Sequence, residues 1–250
     1  VTAEGPRDGA ALRDRARSIS WYHAIDLGHG LTTEGEFDLR PYVGHYGLPE
    51  RLDGKRALDV ATFNGFWAFE LERRGAEVVA LDLATENELD WPAFRPRTRP
   101  PAIAANPLGE GFRIAHAVLD SRVERTESNV YDVDSDRLGS FDVVFCGSML
   151  IHLKNQFRAL ERLCGLLRPG GLFVSAEPYS RLGGLAPFPV ARYRAHDEGF
   201  PVFWEPSLRT WRLMIEACGF TKVRRVATFN MRARRGYGVR HVVHQATRAG

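Results

Sequence analysis

The sequence predicts an α/β fold: a doubly wound, mostly parallel seven-stranded sheet closed by an antiparallel C-terminal hairpin. Three observations predict it. Between Arg56 and Glu177, short apolar runs alternate with segments of helical periodicity, and strands separated by helices pair in parallel. Two β-rich runs near the C-terminal end, Val223 to Phe229 and Val239 to Gln245, lie too close together for a helical crossover and are expected to pair antiparallel. The chain's 250 residues, 44% of them hydrophobic, supply one sizeable core without demanding a second. A single domain over residues 1–250 is expected.

The first strand of the alternating part is Arg56 to Ala61. It is followed by a helix over Asn64 to Arg74, with Phe66, Trp67, Phe69 and Leu71 at helical spacing and Gly75 as its stop. Glu77 to Leu83 reads as the second strand. A helix around Phe112 to Asp120 and a strand around Val123 to Ser128 form the third unit. Phe141 to Cys146 is a fourth apolar strand and Gln156 to Leu167 an amphipathic helix. The Arg168-Pro169-Gly170-Gly171 turn then leads into the strand Leu172 to Glu177. A helix over Ser207 to Cys218 precedes the C-terminal hairpin. Residues 1–50 form an N-terminal extension expected to cover the site. The proline-rich stretch 84–110 and the Gly-, Pro- and aromatic-rich stretch 178–206 are expected lids or substrate loops.

Composition narrows the function classes. The formal charge is +3, and lysine occurs only at 55, 154 and 222. Such a balance does not by itself mark a nucleic-acid face, although Arg232, Arg234, Arg235 and Arg240 keep contact with nucleic acid open. No apolar run approaches the roughly 18 to 20 residues of a membrane span. The first twenty residues lack the apolar core of a secretory signal, so a cytoplasmic location and no membrane partner are expected. Cys146, Cys164 and Cys218 are far apart in apolar contexts and read as buried hydrophobes. Nothing shows metal-ligand spacing, a phosphate loop with its lysine, or a nucleophile elbow.

In open sheets of this kind, ligands sit beyond the carboxyl ends of the strands. Four strand ends carry suitable residues in order. The first turn holds Asp59, Ala61, Phe63 and Gly65, and the second strand closes on Asp82 with Leu83 beside it. Asn129 and Val130 follow the third strand, Gly147 and Ser148 the fourth. Asp82 stands about where such folds place an acid for ribose hydroxyls, and a small Ala61 with Gly65 lets backbone approach a ligand. Singly, each has a structural reading: a cap, a turn residue, a packing glycine. Together they favour a nucleotide-like ligand.

The runs FDVVFCGSMLIHL (Phe141 to Leu153) and LRPGGLFVSAEP (Leu167 to Pro178) resemble the fourth-strand, helix and fifth-strand block of the class I S-adenosylmethionine-dependent methyltransferases. That resemblance extends from Trp21 to Gln245. It implies S-adenosyl-L-methionine as cofactor, held by the residues at the four strand ends. The family's first turn is an acid followed by three glycines at alternate positions, and this chain has Ala61 and Phe63 at the first two. WYHAIDLGHGLTTEGEFDLR (Trp21 to Arg40), LDVATFNGFWAFELERRGA (Leu58 to Ala76) and FWEPSLRTWRLMIEACGF (Phe203 to Phe220) look like the branch related to the tRNA wobble-uridine carboxymethyltransferases. Those enzymes carry a long N-terminal extension, whereas twenty residues precede Trp21 here. They also place a tyrosine before the histidine of the fourth-strand loop to hold an extra carboxylate, and here Ile151 precedes His152. An apolar side chain cannot donate that hydrogen bond, so plain S-adenosylmethionine is expected.

Methyl transfer from a sulfonium is an in-line displacement that needs alignment, exclusion of water and, for a hydroxyl or carboxyl acceptor, a base. His23 and His152 are the expected candidates. Trp21, Tyr22, Phe63, Trp67 and Trp204 are candidates for an aromatic pocket around the sulfonium. Glu177, Tyr179, Tyr193 and His196, at or after the fifth strand, are candidate acceptor contacts alongside Trp21, Tyr22 and Trp204. The expected reaction is methylation of an oxygen or nitrogen of a small-molecule acceptor, a specialised metabolite being the favoured kind. Modification of an RNA base, chemistry on another carbon of S-adenosylmethionine such as cyclisation of its aminobutyrate chain, and a non-enzymatic binding role remain as alternatives.

Overall fold

The computed structural model describes residues 9–93, 106–181, 183, 186–194 and 202–250. The alternating elements are β3 (Arg56–Val60), α2 (Phe66–Arg73), β4 (Glu77–Asp82), α3 (Glu110–Leu119), β5 (Glu124–Glu127), α4 (Ser135–Leu138), β6 (Phe141–Gly147), α5 (Gln156–Leu166) and β7 (Leu167–Pro178). Then come α6 (Leu208–Ala217), β10 (Phe220–Arg232) and β11 (Gly238–Arg248). Seven strands form one sheet in the order β10-β11-β7-β6-β3-β4-β5. β5, β4, β3, β6 and β7 run parallel, and β11 inserts antiparallel between β7 and β10. This is the fold class expected.

The two-residue alternation of the strands explains the layers. Ala57, Val143, Phe145, Val174 and Ala176 turn to the face covered by α2 and α3. Leu58, Val60, Val144, Cys146 and Phe173 turn to the face covered by α5 and α6. Both faces are buried, which is why the central strands read as near-continuous apolar runs. The expected turn at residues 168–171 is instead part of β7, looped out between the pairs Phe141–Leu167 and Val143–Leu172. The hairpin strands also run further than their apolar stretches, since backbone pairing continues where the side chains face solvent.

Before β3 lie α1 (Gly9–Ser18), the short parallel pair β1 (Trp21–His23) and β2 (Gly35–Phe37), and a 3-10 turn at Arg40–Tyr46. A small hairpin, β8 (Ala191–Tyr193) with β9 (Trp204–Pro206), precedes α6. The four short strands have three residues each, too few for a readable period, and α1, though ten residues long, is charge-rich with few apolar positions to show one. The β1–β2 pair is anchored at both ends. Asn64 Oδ1, from the turn after β3, accepts the Tyr22 and His23 amides at 2.9 and 3.3 Å. The Arg234 amide donates to the Glu36 carbonyl at 2.7 Å. The pair thereby spans the carboxyl ends of the sheet from the β3 turn to the tip of the β10–β11 hairpin. Among the described residues no helix is long and apolar enough to cross a membrane.

Gly35 permits this strap. A Cβ there would lie 2.1 Å from the His23 carbonyl carbon and 2.2 Å from the Ala24 nitrogen, both backbone atoms that cannot swing aside. Gly35→Ala is therefore expected to cost about 1–3 kcal/mol, read as a lowered melting temperature. Near-native stability would contradict the close approach of the two strands.

Candidate cofactor and acceptor site

The carboxyl ends of β3, β4 and β6, under the β1–β2 strap, enclose a cavity of about 510 Å³. Of the residues expected to hold the cofactor, Asp59, Ala61, Phe63, Asp82, Leu83, Asn129, Val130, Gly147 and Ser148 all line it. Gly65 lies just behind, at the N-cap of α2.

The turn after β3 has a demanding backbone. Ala61, Phe63 and Gly65 have φ of 59°, 51° and 93°. These are the three alternate positions where the resembled family carries glycine, and all three are left-handed here. Holding alanine and phenylalanine in that region costs roughly 1–2 kcal/mol per residue. Side-chain acceptors support the turn. The Thr62 hydroxyl donates to Asp59 Oδ2 at 2.7 Å. The Phe63 amide donates to Asp82 Oδ2 and the Leu83 amide to Asp82 Oδ1, both at 2.9 Å. Each Asp82 oxygen keeps a lone pair for a further donor. Burial pushes the Asp59 carboxyl up to about 7 and the Asp82 carboxyl up to about 6, in the second case against the pull of its amide donors.

Beyond β6, Ser148 is also left-handed, with φ 54°. Its hydroxyl lies 2.7 Å from His241 Nε2, and His241 Nδ1 lies 3.0 Å from the Val239 carbonyl. A carbonyl only accepts, so Nδ1 carries the proton and Ser148 donates to Nε2. Burial lowers the His241 imidazole to about 4. On the β5 side, the Asn129 side chain accepts the Tyr131 amide at 3.0 Å and reaches the Glu88 carbonyl at 3.4 Å.

The two histidines expected as bases both line the cavity. His23 packs near Tyr22, Phe63 and Phe66, with ring centroids 4.9, 6.4 and 6.1 Å away. Burial pushes its imidazole down to about 3, and its Nδ1 is buried without a partner. His152 closes a 3-10 turn over Leu150–His152.

The expected acceptor contacts divide. Tyr22 lines the cavity. Trp21 is a core residue whose indole donates to the Ala16 carbonyl at 2.8 Å. Tyr179 packs against the cluster beneath α5 and α6. Tyr193 and Trp204 pair on the β8–β9 hairpin, centroids 5.0 Å apart and exposed, and do not line the cavity although their neighbours Arg194 and Glu205 do. His196 falls outside the described residues. Glu177 is fully buried under the cavity floor. Its Oε1 accepts the Met149 and Leu150 amides, each at 3.1 Å, and Oε2 has no partner. It holds the turn that carries His152. Trp67, offered as a pocket aromatic, lines the cavity while packing on Tyr46 and Phe145 at 4.1 and 4.5 Å.

Residues outside the expected set also line the cavity, among them Glu36, Phe37, Arg235, Tyr237, Val239 and His241. His241 had a signal, as a polar residue in register with Val239 and Val243 on the buried side of a strand. Glu36 had none. Among the described residues, no group of three or more His, Cys, Asp or Glu could hold a metal.

Two outcomes are expected. Gly65→Ala puts a Cβ 2.4 Å from Phe69 Cε2 at a left-handed φ and should cost at least about 2 kcal/mol, while Ala61→Gly should be neutral or stabilising by up to about 1 kcal/mol. Chemical unfolding of both variants checks the order. Burial raises the Glu177 carboxyl to about 8 from a usual 4.5. A carboxyl raised in the native state holds a proton that the unfolded chain releases. Its contribution is fully present below about pH 4.5 and is lost as pH rises through about 8. Wild type should lose stability relative to Glu177→Gln across that window and not outside it.

A family model for a methyltransferase domain matches residues 39–225. The ubiquinone biosynthesis O-methyltransferase of Xanthomonas campestris pv. campestris is 30% identical over 125 residues, 50% of this chain and 44% of the relative. The chain thus spans less than half the length of that curated relative in the aligned part. Among solved structures, the N-terminal domain of EvdMO1, in the presence of SAH and D-fucose, superposes with a TM-score of 0.63 at 17% identity, covering 98% of this chain and all of that one. The 1,6-didemethyltoxoflavin-N1-methyltransferase of Burkholderia thailandensis gives 0.53 at 18% identity, covering 85% and 75% of the two chains. With a family match over residues 39–225, most of its length, this chain belongs to the methyltransferase domain family.

Proposed function

We propose that this protein binds S-adenosyl-L-methionine and transfers its methyl group to an oxygen or nitrogen of a small-molecule acceptor. The observation that carries the reading is the left-handed turn Ala61-Thr62-Phe63-Asn64-Gly65 set against the Asp82 carboxyl at the mouth of the β3–β4 crevice. The donor set suits the group. Asp82 has lone pairs left for ribose hydroxyls, Val130 and Leu83 offer an apolar bed for a purine, and Gly147 with Ser148 closes β6 at the far end. The volume matches that of small-molecule sites. The named activities of the similar proteins, on an oxygen in one and a nitrogen in another, support a small acceptor.

When bound, S-adenosylmethionine supplies an electrophilic methyl on a sulfonium. The chain's part is to exclude water and to handle a proton. Tyr22, Phe37 and Phe63 make the strap side of the cavity aromatic, with Tyr22 edge-on to both phenylalanines at 5.1 and 5.2 Å. His23 presents a partnerless Nδ1 as a candidate to accept the acceptor's hydroxyl hydrogen; burial keeps the ring neutral while weakening it as a base. His152 is the second candidate on the same rim.

Ile151 is buried and lines the cavity next to His152, which supports plain S-adenosylmethionine over a carboxylated form. Kinship with the wobble-uridine branch is proposed for the scaffold only. Two of the four arginines available for phosphates are paired, Arg234 with Glu34 at 2.7 Å and Arg235 with Glu36 at 3.4 Å.

The test is incubation with S-adenosylmethionine, with and without hydroxylated and amine acceptors, followed by identification of the sulfur product. S-adenosylhomocysteine formed only with an acceptor is the expected result, and methylthioadenosine formed without one would overturn it. Asp82→Ala should weaken S-adenosylmethionine binding by about tenfold or more. His23→Ala should lower turnover by about 10² or more if its Nδ1 takes the proton, and an unchanged pH-rate profile in both His23→Ala and His152→Ala would remove the base assignment.

A further inference from the structure

One charged group facing the cavity is neither part of the expected cofactor cradle nor satisfied by the protein. Glu36, in β2, is 8% exposed and lines the cavity. Its Oε2 meets Arg235 Nε at 3.4 Å, while Oε1 is buried and has no partner. A buried carboxylate oxygen without a donor is destabilising and is retained where something else supplies the donor. Nearby, His23 Nδ1 is likewise buried and without a partner, on the strand paired with β2. Glu36 is thus held rigidly, by strand pairing at Gly35 and Phe37 and by the Arg234 amide on its own carbonyl.

The surroundings decide what donor fits. Arg235 already offsets the Glu36 charge, so a cationic group arriving at Oε1 would be set beside the Arg235 guanidinium and repelled by it. An anionic group would meet the carboxylate. A neutral hydroxyl satisfies Oε1 with no added charge, and Phe37 and Tyr237, with ring centroids 6.0 Å apart, supply apolar surface for the carbon skeleton behind it. We propose that Glu36 recognises the methyl acceptor, its free Oε1 accepting a hydrogen bond from a neutral hydroxyl and so selecting uncharged hydroxylated molecules, phenols or pyranoses, over amines and carboxylates. This rests on the reading of the cavity as a methyl-transfer site, whose cofactor half lies against Asp82.

The experiment compares wild type, Glu36→Met and Glu36→Gln, each loaded with S-adenosylhomocysteine, by calorimetry against four probes: catechol, methyl glucoside, benzylamine and benzoate. At least one of the first two should bind wild type in preference to the last two, and the phenol and pyranose arms separate the two skeletons. That binding should weaken about tenfold or more in Glu36→Met and less in Glu36→Gln, which keeps an oxygen acceptor. Both variants should melt within about 4 °C of wild type or higher, and bind S-adenosylhomocysteine as wild type does. Equal probe binding by wild type and Glu36→Met, preference for benzylamine or benzoate, no binding of either hydroxylated probe at millimolar concentration, or a larger fall in melting temperature in both variants would each overturn the assignment. Failure of wild type to bind S-adenosylhomocysteine would instead remove the methyl-transfer reading itself.

Discussion

The hydrogen bond from the Phe63 amide to Asp82 organises the rest of the site. A chain leaving β3 must reverse within a few residues to start α2, and here it does so through three left-handed residues, two of which carry a Cβ. Such a turn is unfavourable in isolation. It persists because Asp82, at the end of the neighbouring strand, accepts the Phe63 amide and because Thr62 is tied to both Asp59 and the Leu81 carbonyl. The turn in turn presents Asn64, whose side chain accepts two amides of β1. The strap, the cavity roof and the placement of His23 and Glu36 all follow from a backbone conformation held chiefly by Asp82, with Asp59 and the Leu81 carbonyl fixing Thr62.

Burial then sets the charge pattern. Asp59 and Glu177 are pushed toward their protonated forms, His23 and His241 toward their neutral forms. Desolvation is the leading cause in each case, with a smaller push on Asp59 from the neighbouring Asp82 carboxylate. The interior thus holds neutral hydrogen-bonding groups such as the Ser148–His241 pair, while charged side chains, among them Glu86, Glu88, Asp90, Arg194, Glu205 and the Glu36–Arg235 pair, line the rest of the cavity. A lining with more acidic side chains than arginines suits a cationic cofactor. Glu177, which looked like an acceptor contact because it ends the fifth strand, acts beneath the site by fixing the turn over Leu150–His152 through its amides.

Much of the fold was legible because its central strands are buried on both faces and its helices are amphipathic. Leu58 with Val60, and Leu160 with Leu163, announce themselves by spacing alone. The strand-end half of the cavity was legible for a related reason, since strand ends in order carry Asp59, Asp82, Asn129 and Gly147, all of which line it where an open parallel sheet opens its crevice. The half under the β1–β2 strap was not. β1 and β2 have three residues each, too few for any period, and Glu36 is buried by a tertiary contact between segments about 200 residues apart. Aromatic composition misled in the same region. Trp21 is core, and Tyr193 and Trp204 pack on each other, since a large apolar ring signals burial or pairing without saying against what.

The central claim is that the left-handed turn and Asp82 form the cofactor cradle beneath the β1–β2 strap. The most direct measurement is a crystal structure of the protein with S-adenosylhomocysteine. The account predicts ribose hydroxyls on Asp82, the amino acid end beside the turn after β3, φ still positive at Ala61 and Phe63, and the sulfur facing the chamber lined by His23 and Glu36. A nucleoside bound outside this cavity, or a turn rearranged to release the Phe63 amide from Asp82, would contradict it.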